Sequence, residues 1–324
     1  MEPRSDEFDT NLLPDLGRVG RVGLLGMGSV GSGWAAVYLA RGMEILAYDP
    51  GEDAADRTVK FLEDGWHSLV ELGLTDRETP PLDLLRFVSI GEAVKTAHVI
   101  HENAPEHLEV KRQLLAEIER SAPAQTVICS SSGGLPPTEI QAAMKHPARM
   151  VVAHPFNPPH LIPLIEVVGG AKTSGAVIEW TMAFMTHMGK KPIRLDREKT
   201  AYLTNRLQFA LLREAIHCLD SGVASARAID DAIKYALAPR WAAMGGLMTL
   251  ILAGGPGGIR HTLQQFSPAI ESWWDDLGTP RLTADVKAKM ISAELELMAG
   301  HSLTEWISLR DKKLVRLLGL IDDD

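Results

Sequence analysis

Three glycines in the run Gly26-Met-Gly28-Ser-Val-Gly31 constrain this chain more than any other feature. Alone, G-x-G-x-x-G is a weak pattern. Here it follows a short apolar run, Val19, Val22, Leu24 and Leu25, that reads as a buried strand of a parallel sheet. It also opens a helical segment from about Ser29 to Arg41, which Gly42 stops. In that setting Gly26 makes a tight turn, Gly28 lets the backbone approach a pyrophosphate, and Gly31 lets the helix lie close on the strand. The helix start, with Ser29 and Val30, then offers free N–H groups and a partial positive charge to phosphates. A second strand, Glu44–Asp49, completes a βαβ unit. Asp49 stands where an acid accepts hydrogen bonds from adenosine ribose hydroxyls and repels a 2′-phosphate. Pro50-Gly51 follows, with no Arg beside it, so NAD is the expected cofactor and not NADP.

The alternation continues along the chain. Helical segments are expected near Ala54–Leu72, Glu92–Ala97, Glu106–Ser121 and Thr138–Met144, and strands at Leu85–Ile90, Val99–Glu102, Thr126–Ser130, Met150–His154 and Ile162–Val168. Past about Asp196 the strand signals stop, and Leu203, Leu207, Ala210, Leu211, Ala215 and Leu219 recur at helical steps of three and four. With 324 residues the chain is long enough for two cores. The reading is α/β: a flexible tail over residues 1–17, a Rossmann-type doubly wound NAD-binding domain over 18–197, and an all-helical domain over 198–324.

Composition removes several classes of function. With 33 basic against 42 acidic side chains the formal charge is −9, which removes the counterion-release term for nucleic acid and argues against adhesion to anionic lipid. The two cysteines, Cys129 and Cys218, sit among apolar neighbours as small hydrophobes. The acidic N-terminus lacks the pattern of a signal peptide, and the apolar stretch Leu247–Ala253 is far too short to span a bilayer, so a cytoplasmic protein is expected. His98, His101 and His107 fit no short zinc spacing, and no metal is expected.

The stretch from Val151 through His154-Pro-Phe-Asn-Pro-Pro to Glu166-Val-Val puts a histidine at the end of one strand and a glutamate inside the next. Two strands joined by a Pro-rich loop can bring these side chains together. A half-buried Glu166 on one ring nitrogen of His154 would fix its tautomer, raise its basicity and leave the other nitrogen free to take a hydroxyl proton. On the residues alone, a satisfied structural histidine is the competing reading.

At this point the sequence resembles the L-3-hydroxyacyl-CoA dehydrogenase superfamily over residues 18–316. The matching pieces are Gly26–Gly31, Asp49, Glu102-Asn-Ala-Pro-Glu106, His154-Pro-Phe-Asn-Pro-Pro, Glu166-Val-Val and Thr204-Asn205-Arg206. The resemblance implies a Rossmann domain and a helical domain that pairs into a homodimer. It also implies His154 as base, Glu166 as its orienting partner and Asn205 as a polar group at the reacting centre. Glu106, Lys111 and Ser131 correspond to residues at the cofactor. One departure stands out: the superfamily's substrate-contacting serine falls on Gly133, in Ser130-Ser-Ser-Gly-Gly134. A glycine donates no hydroxyl hydrogen bond, so Ser132 in a shifted loop, or backbone N–H groups with Asn205, would have to serve.

The helix after the second strand carries few basic residues, Lys60 being the nearest to its centre, so the phosphates of CoA look poorly served. Pro239-Arg240-Trp241 and Leu252 to His261 resemble the branch that oxidises free hydroxy acids, the L-carnitine dehydrogenases first and the L-gulonate 3-dehydrogenase or lambda-crystallin group second. A trimethylammonium group favours an aromatic face, for which Trp241 and Phe156 are candidates, and a carboxylate needs an arginine, Arg240 or Arg260. The expected function is NAD-dependent oxidation of a small L-3-hydroxy acid to the 3-keto acid, carnitine first, with L-gulonate and a 3-hydroxyacyl-CoA as alternatives. A catalytically silent NAD-binding protein is the alternative of another class, kept open by Gly133.

Overall fold

A strand covered by helices on both faces needs apolar side chains in both directions, and the short runs here supply them. In the computed structural model, where residues 13–321 are described, eight strands form one sheet. They are β1 (Arg21–Leu25), β2 (Glu44–Tyr48), β3 (Leu85–Phe87), β4 (Val99–Glu102), β5 (Val127–Ser130), β6 (Met150–Pro155), β7 (Leu164–Val168) and β8 (Lys191–Arg194). Between them run α1 (Ser29–Ala40), α2 (Ala54–Glu71), α3 (Ile90–Lys95), α4 (Leu108–Ser121), α5 (Pro137–Gln141) and α6 (Gly175–His187).

The strand order is β3-β2-β1-β4-β5-β6-β7-β8, so the winding reverses between β1 and β4. Sheets of this kind take ligands beyond the carboxyl ends of the strands at that reversal. Alternation along the strands divides the core into two layers. Val99, Val127, Cys129 and Val151 pack with Trp34, Tyr38 and Phe184, whereas Ile100, Ile128 and Val152 pack with Leu115, Ile118 and Ile140. Burial raises the Cys129 thiol to about 12, so it packs as an apolar group.

Three features depart from the sequence reading. The pair β6–β7 is antiparallel in an otherwise parallel sheet. The strand β8 and the helix α6 lacked a legible signal. In β8, Lys-Pro-Ile-Arg is short and contains Pro192, which an edge strand tolerates because it need not donate on both sides. In α6 the apolar residues run nearly all round the helix, which erases the period.

The first compact unit ends at Asn205, several residues beyond the expected boundary, because the buried Tyr202 and the backbone of Leu203 and Thr204 pack with the sheet domain. Of the expected tail, residues 1–12 lie outside the described residues. Residues 13–17 are tied down: the Pro14 carbonyl accepts from Trp180 Nε1 at 2.8 Å, and Asp15 accepts from the Gly17 N–H.

The second unit begins at Arg206 and is helical. It contains most of α7 (Thr204–Asp220), then α8 (Ala226–Ala232), α9 (Ala238–Met244), α10 (Gly246–Ala253), α11 (Gly258–Asp276), α12 (Ala284–Met298) and α13 (Leu303–Ile321). Its buried set is small, while Leu247 is 81% and Leu295 78% exposed, with Trp273, Trp274 and Leu320 also open. Among the described residues no single helix is long and apolar enough to cross a membrane; one bent pair, Ala226–Met244 with Gly246–Ala253, passes on length and composition across a 96° break.

Candidate active site

The glycine loop lies at the carboxyl end of β1, beside the reversal in strand order. Gly26 has φ +86°, and a Cβ there would lie 2.7 Å from the Asn103 carbonyl oxygen. A Cβ on Gly31 would lie 1.9 Å from the Gly26 carbonyl oxygen, so only glycine lets α1 start this close to β1. At Gly28, by contrast, nothing stands within 4 Å of such a Cβ. Gly28 and Ser29 are exposed at the start of α1, where no side chain caps the free N–H groups. An open N–H cradle of this kind fits a pyrophosphate. Asp49 follows β2, and its carboxylate accepts from the Met27 N–H at 2.6 Å and the Gly51 N–H at 2.8 Å. It therefore braces the glycine loop, a task the sequence reading did not foresee, and retains lone pairs for a ribose diol.

His154 and Glu166 are direct cross-strand partners in the antiparallel pair β6–β7. The His154 Nδ1 lies 2.8 Å from Glu166 Oε2, and both side chains are buried. Glu166 Oε1 accepts from the backbone N–H groups of Leu203 at 3.1 Å and Thr204 at 2.6 Å. Burial pushes the Glu166 carboxyl up, but the hydrogen bonds from His154 and from Thr204 outweigh it and leave it below the usual carboxylate value. An ionised carboxylate only accepts, so Nδ1 carries the hydrogen, and a neutral His154 presents a bare Nε2. Phe156 packs edge-on against the imidazole at 4.6 Å between ring centres, and Tyr202 lies at 5.5 Å.

Opposite Nε2 stands Gly133. A Cβ there would sit 3.0 Å from His154 Nε2 and 3.6 Å from Asn205 Nδ2, so the missing side chain opens space between these two groups. Asn205 Nδ2 donates to the Gly133 carbonyl at 2.8 Å. His154, Glu166, Asn205, Phe156 and Gly133 thus converge in the first unit.

The neighbouring serines do not fill that space. Ser132 is fully buried; its hydroxyl donates to Glu106 Oε1 at 2.7 Å and accepts from the Leu135 N–H. The loop is not shifted to bring Ser132 to the base, because Glu106 Oε1 also accepts the N–H groups of Gly133, Gly134 and Leu135. Ser131 is likewise committed. Its hydroxyl donates to Asn103 Oδ1 at 2.7 Å, accepts from Trp34 Nε1 at 3.0 Å and meets His101 Nε2 at 3.0 Å. One hydrogen and two lone pairs are then used, and the Ser131 N–H donates to the Glu102 carbonyl at 2.9 Å, so hydroxyl and N–H are both bonded within the protein. Burial and the Lys111 charge lower His101 to about 3, so it is neutral, with Nε2–H facing Ser131 and Nδ1 accepting from the Tyr38 hydroxyl at 2.7 Å.

Lys111 also turns inward. Its ammonium donates to both oxygens of Glu102, at 2.9 and 3.1 Å, and to the Ala104 carbonyl at 3.0 Å. It lies 3.7 Å from Glu106 Oε2. Trp34, and His101 as a partner of Ser131, are contacts that sequence reasoning missed; Glu102 and Asn103 stood in the matching run Glu102-Asn-Ala-Pro-Glu106 with no role of their own. Trp241, Arg240 and Arg260 belong to the second unit, where all three are exposed; Arg240 Nε donates to the Ala236 carbonyl. His98 Nδ1 accepts from the Gly20 N–H, and among the described residues no three His, Cys, Asp or Glu side chains are placed to hold a metal ion.

Comparison with known proteins fits this geometry. The family model for the 3-hydroxyacyl-CoA dehydrogenase NAD binding domain matches residues 21–199, and that for the 3-hydroxyacyl-CoA dehydrogenase C-terminal domain matches residues 202–278. The chain is 41% identical to an L-carnitine dehydrogenase of Oceanobacillus iheyensis, covering 91% of this chain and 96% of that protein. It is also 41% identical to one of Streptomyces coelicolor, covering 90% and 91%. Among solved structures, 5-formyl-3-hydroxy-2-methylpyridine 4-carboxylic acid 5-dehydrogenase, an NAD+ dependent dismutase, superposes with a TM-score of 0.80 at 25% identity, covering 94% of this chain and 99% of that one. The 3-hydroxybutyryl-CoA dehydrogenase of Escherichia coli superposes at 0.62 with 28% identity, covering 82% of this chain and 55% of that one. With both family models matched in chain order and an open glycine cradle for the dinucleotide, the chain belongs to the 3-hydroxyacyl-CoA dehydrogenase family and is an NAD-dependent hydroxy acid dehydrogenase.

Proposed function

We propose that the substrate is L-carnitine, oxidised at its 3-hydroxyl to 3-dehydrocarnitine, and that His154 is the base. The observation that carries the chemistry is the dyad: Glu166 on Nδ1 and open space beyond Nε2, between the base and Asn205. When bound, NAD+ accepts the hydride that leaves C3 of the substrate. The hydroxyl proton passes to His154 Nε2, the C–O bond becomes a carbonyl, and Glu166 stabilises the resulting imidazolium. Asn205 Nδ2 is the donor beside the developing oxyanion. A free hydroxy acid is favoured over a CoA thioester because the cations on α2 are already paired, Lys60 with Asp64 at 3.1 Å and Arg57 with Asp53 at 3.5 Å. Within the first unit, Phe156 beside the His154 imidazole is the aromatic assigned to the substrate's trimethylammonium. The similarity to named L-carnitine dehydrogenases over nine-tenths of the chain supports this choice.

Absorbance of NADH formed from NAD+ with L-carnitine, L-gulonate, 3-hydroxybutyrate and 3-hydroxybutyryl-CoA tests the assignment. L-Carnitine is expected to give the highest kcat/KM, and a better rate with any other member of the panel would replace it. Because Asp49 is placed to hold a ribose diol and to repel a phosphate, Asp49→Ala is expected to weaken NAD+ binding more than NADP+ binding. Equal loss for both in a fluorescence titration would remove Asp49 as the selecting residue. We further propose that the open apolar residues of the second unit are covered by a second copy of the chain, as a C2 homodimer. A monomer mass by light scattering at micromolar concentration would contradict it.

A further inference from the structure

The segment leading into α7 holds two consecutive non-glycine residues in the left-handed region, Ala201 at φ 63° and Tyr202 at φ 49°. A bulky side chain adopts that conformation rarely, and two in succession persist only where their surroundings over-determine them. Here the surroundings are the loop that faces the base. Its carbonyls are taken one after another: Gly133 O by Asn205 Nδ2 at 2.8 Å, Gly134 O by the Ala201 N–H at 3.1 Å, and Leu135 O by the Tyr202 hydroxyl at 2.5 Å. The N–H groups of the same three residues all converge on Glu106. The loop is thus clasped on both sides, and the carbonyl side of the clasp is the strained strap.

We infer that Tyr202 is a positioning residue for the oxidation: its hydroxyl, through the Leu135 carbonyl, holds the loop so that Gly133 and Asn205 keep their places opposite His154. The inference rests on the reading of His154 and Asn205 as the reacting centre. Tyr202 is buried, its ring lies against His154, and the next two residues, Leu203 and Thr204, deliver their N–H groups to Glu166. One turn of backbone therefore sets both the loop and the carboxylate that orients the base. Burial raises the phenol above its ordinary value, so the hydroxyl remains a donor throughout the working range.

Tyr202→Phe keeps the ring and removes only the hydrogen bond. It is expected to lower kcat about tenfold, the worth of one half-buried carbonyl losing its partner, with KM for the hydroxy acid and affinity for NAD+ nearly unchanged. Since Tyr202 acts through the loop that holds Asn205, the same substitution in an Asn205→Ala background is expected to cost less than about twofold more. An equal tenfold loss in both backgrounds would overturn the coupling. Amide hydrogen exchange gives a readout that needs no turnover. In Tyr202→Phe the peptide covering Gly133–Leu135 is expected to exchange faster while that covering Gly26–Gly31 keeps its wild-type rate, and unchanged protection of Gly133–Leu135 would overturn the clasp. Wild-type protein inert toward every hydroxy acid in the panel would instead count against the assigned reaction, with the exchange measurement still judging the strap.

Discussion

His154→Ala is expected to lower turnover roughly 10²–10⁴-fold, the usual worth of a general base, while NAD+ affinity stays within about twofold of wild type. The separation follows from placement. The cradle proposed for the cofactor, Gly26–Gly31 with Asp49, lies at the ends of β1 and β2, whereas His154 lies near the end of β6. As hydride departs from C3 the hydroxyl becomes far more acidic, and only an unprotonated imidazole can take the proton. Oxidation should therefore fall off in acid along a single limb, and the reverse reduction, which needs the imidazolium as acid, should favour lower pH. On the proposed mechanism Glu166→Gln removes the charge that stabilises the imidazolium, so the acid limb of oxidation is expected to move to lower pH and the plateau rate to drop. Steady-state rates against pH for the three proteins, with NAD+ titration of each, provide the measurement. A His154→Ala enzyme with near wild-type turnover would sink the mechanism.

The parts of this site that could be read from sequence are those where a residue's type and its place in a repeat are both constrained. Gly26 and Gly31 are such residues, since a left-handed turn and a 1.9 Å clash each admit only glycine. His154 and Glu166 were legible as a candidate pair because two strands joined by a Pro-rich loop can bring them together and the resemblance favours it, although the antiparallel register that makes them direct partners was not. What sequence could not reveal was the direction in which polar side chains turn. Ser131, Ser132 and Lys111 belong to the stretches that resemble cofactor and substrate contacts, yet their polar atoms are consumed inside the protein. That outcome depends on Trp34 on α1, His101 on β4, and Asn103 and Glu106 in the loop that follows β4. The strap at Ala201–Tyr202 was illegible for a similar reason: neither residue type announces a left-handed backbone, and the conformation is imposed by the loop it clasps.

The second large effect is expected at Lys111, and it is one of stability. Lys111 is 1% exposed and Glu102 is wholly buried, so the pair is held in a medium where either charge alone is costly. Glu102 closes β4, and its carboxylate also accepts from Ser130 Oγ at 2.5 Å, at the end of β5, and from the Ala104 N–H at 2.6 Å. The ion pair therefore ties α4 to the end of β4, and the same carboxylate reaches the end of β5 through Ser130, next to the loop that carries Ser131 to Gly134. Lys111→Met keeps the length of the side chain and removes the charge, leaving the Glu102 carboxylate with two donors and no counter-charge. A loss of about 3–5 kcal/mol in urea-induced unfolding is expected, a large fraction of a domain's stability. Glu102→Gln in the same background removes the orphaned charge and should recover much of it, since replacing both partners costs far less than stranding one. The recovery distinguishes electrostatics from packing. If Lys111→Met were lost to poor packing of the thioether on α4, a change at Glu102 would restore nothing, and the ion pair would have to be given up as what ties α4 to the end of β4.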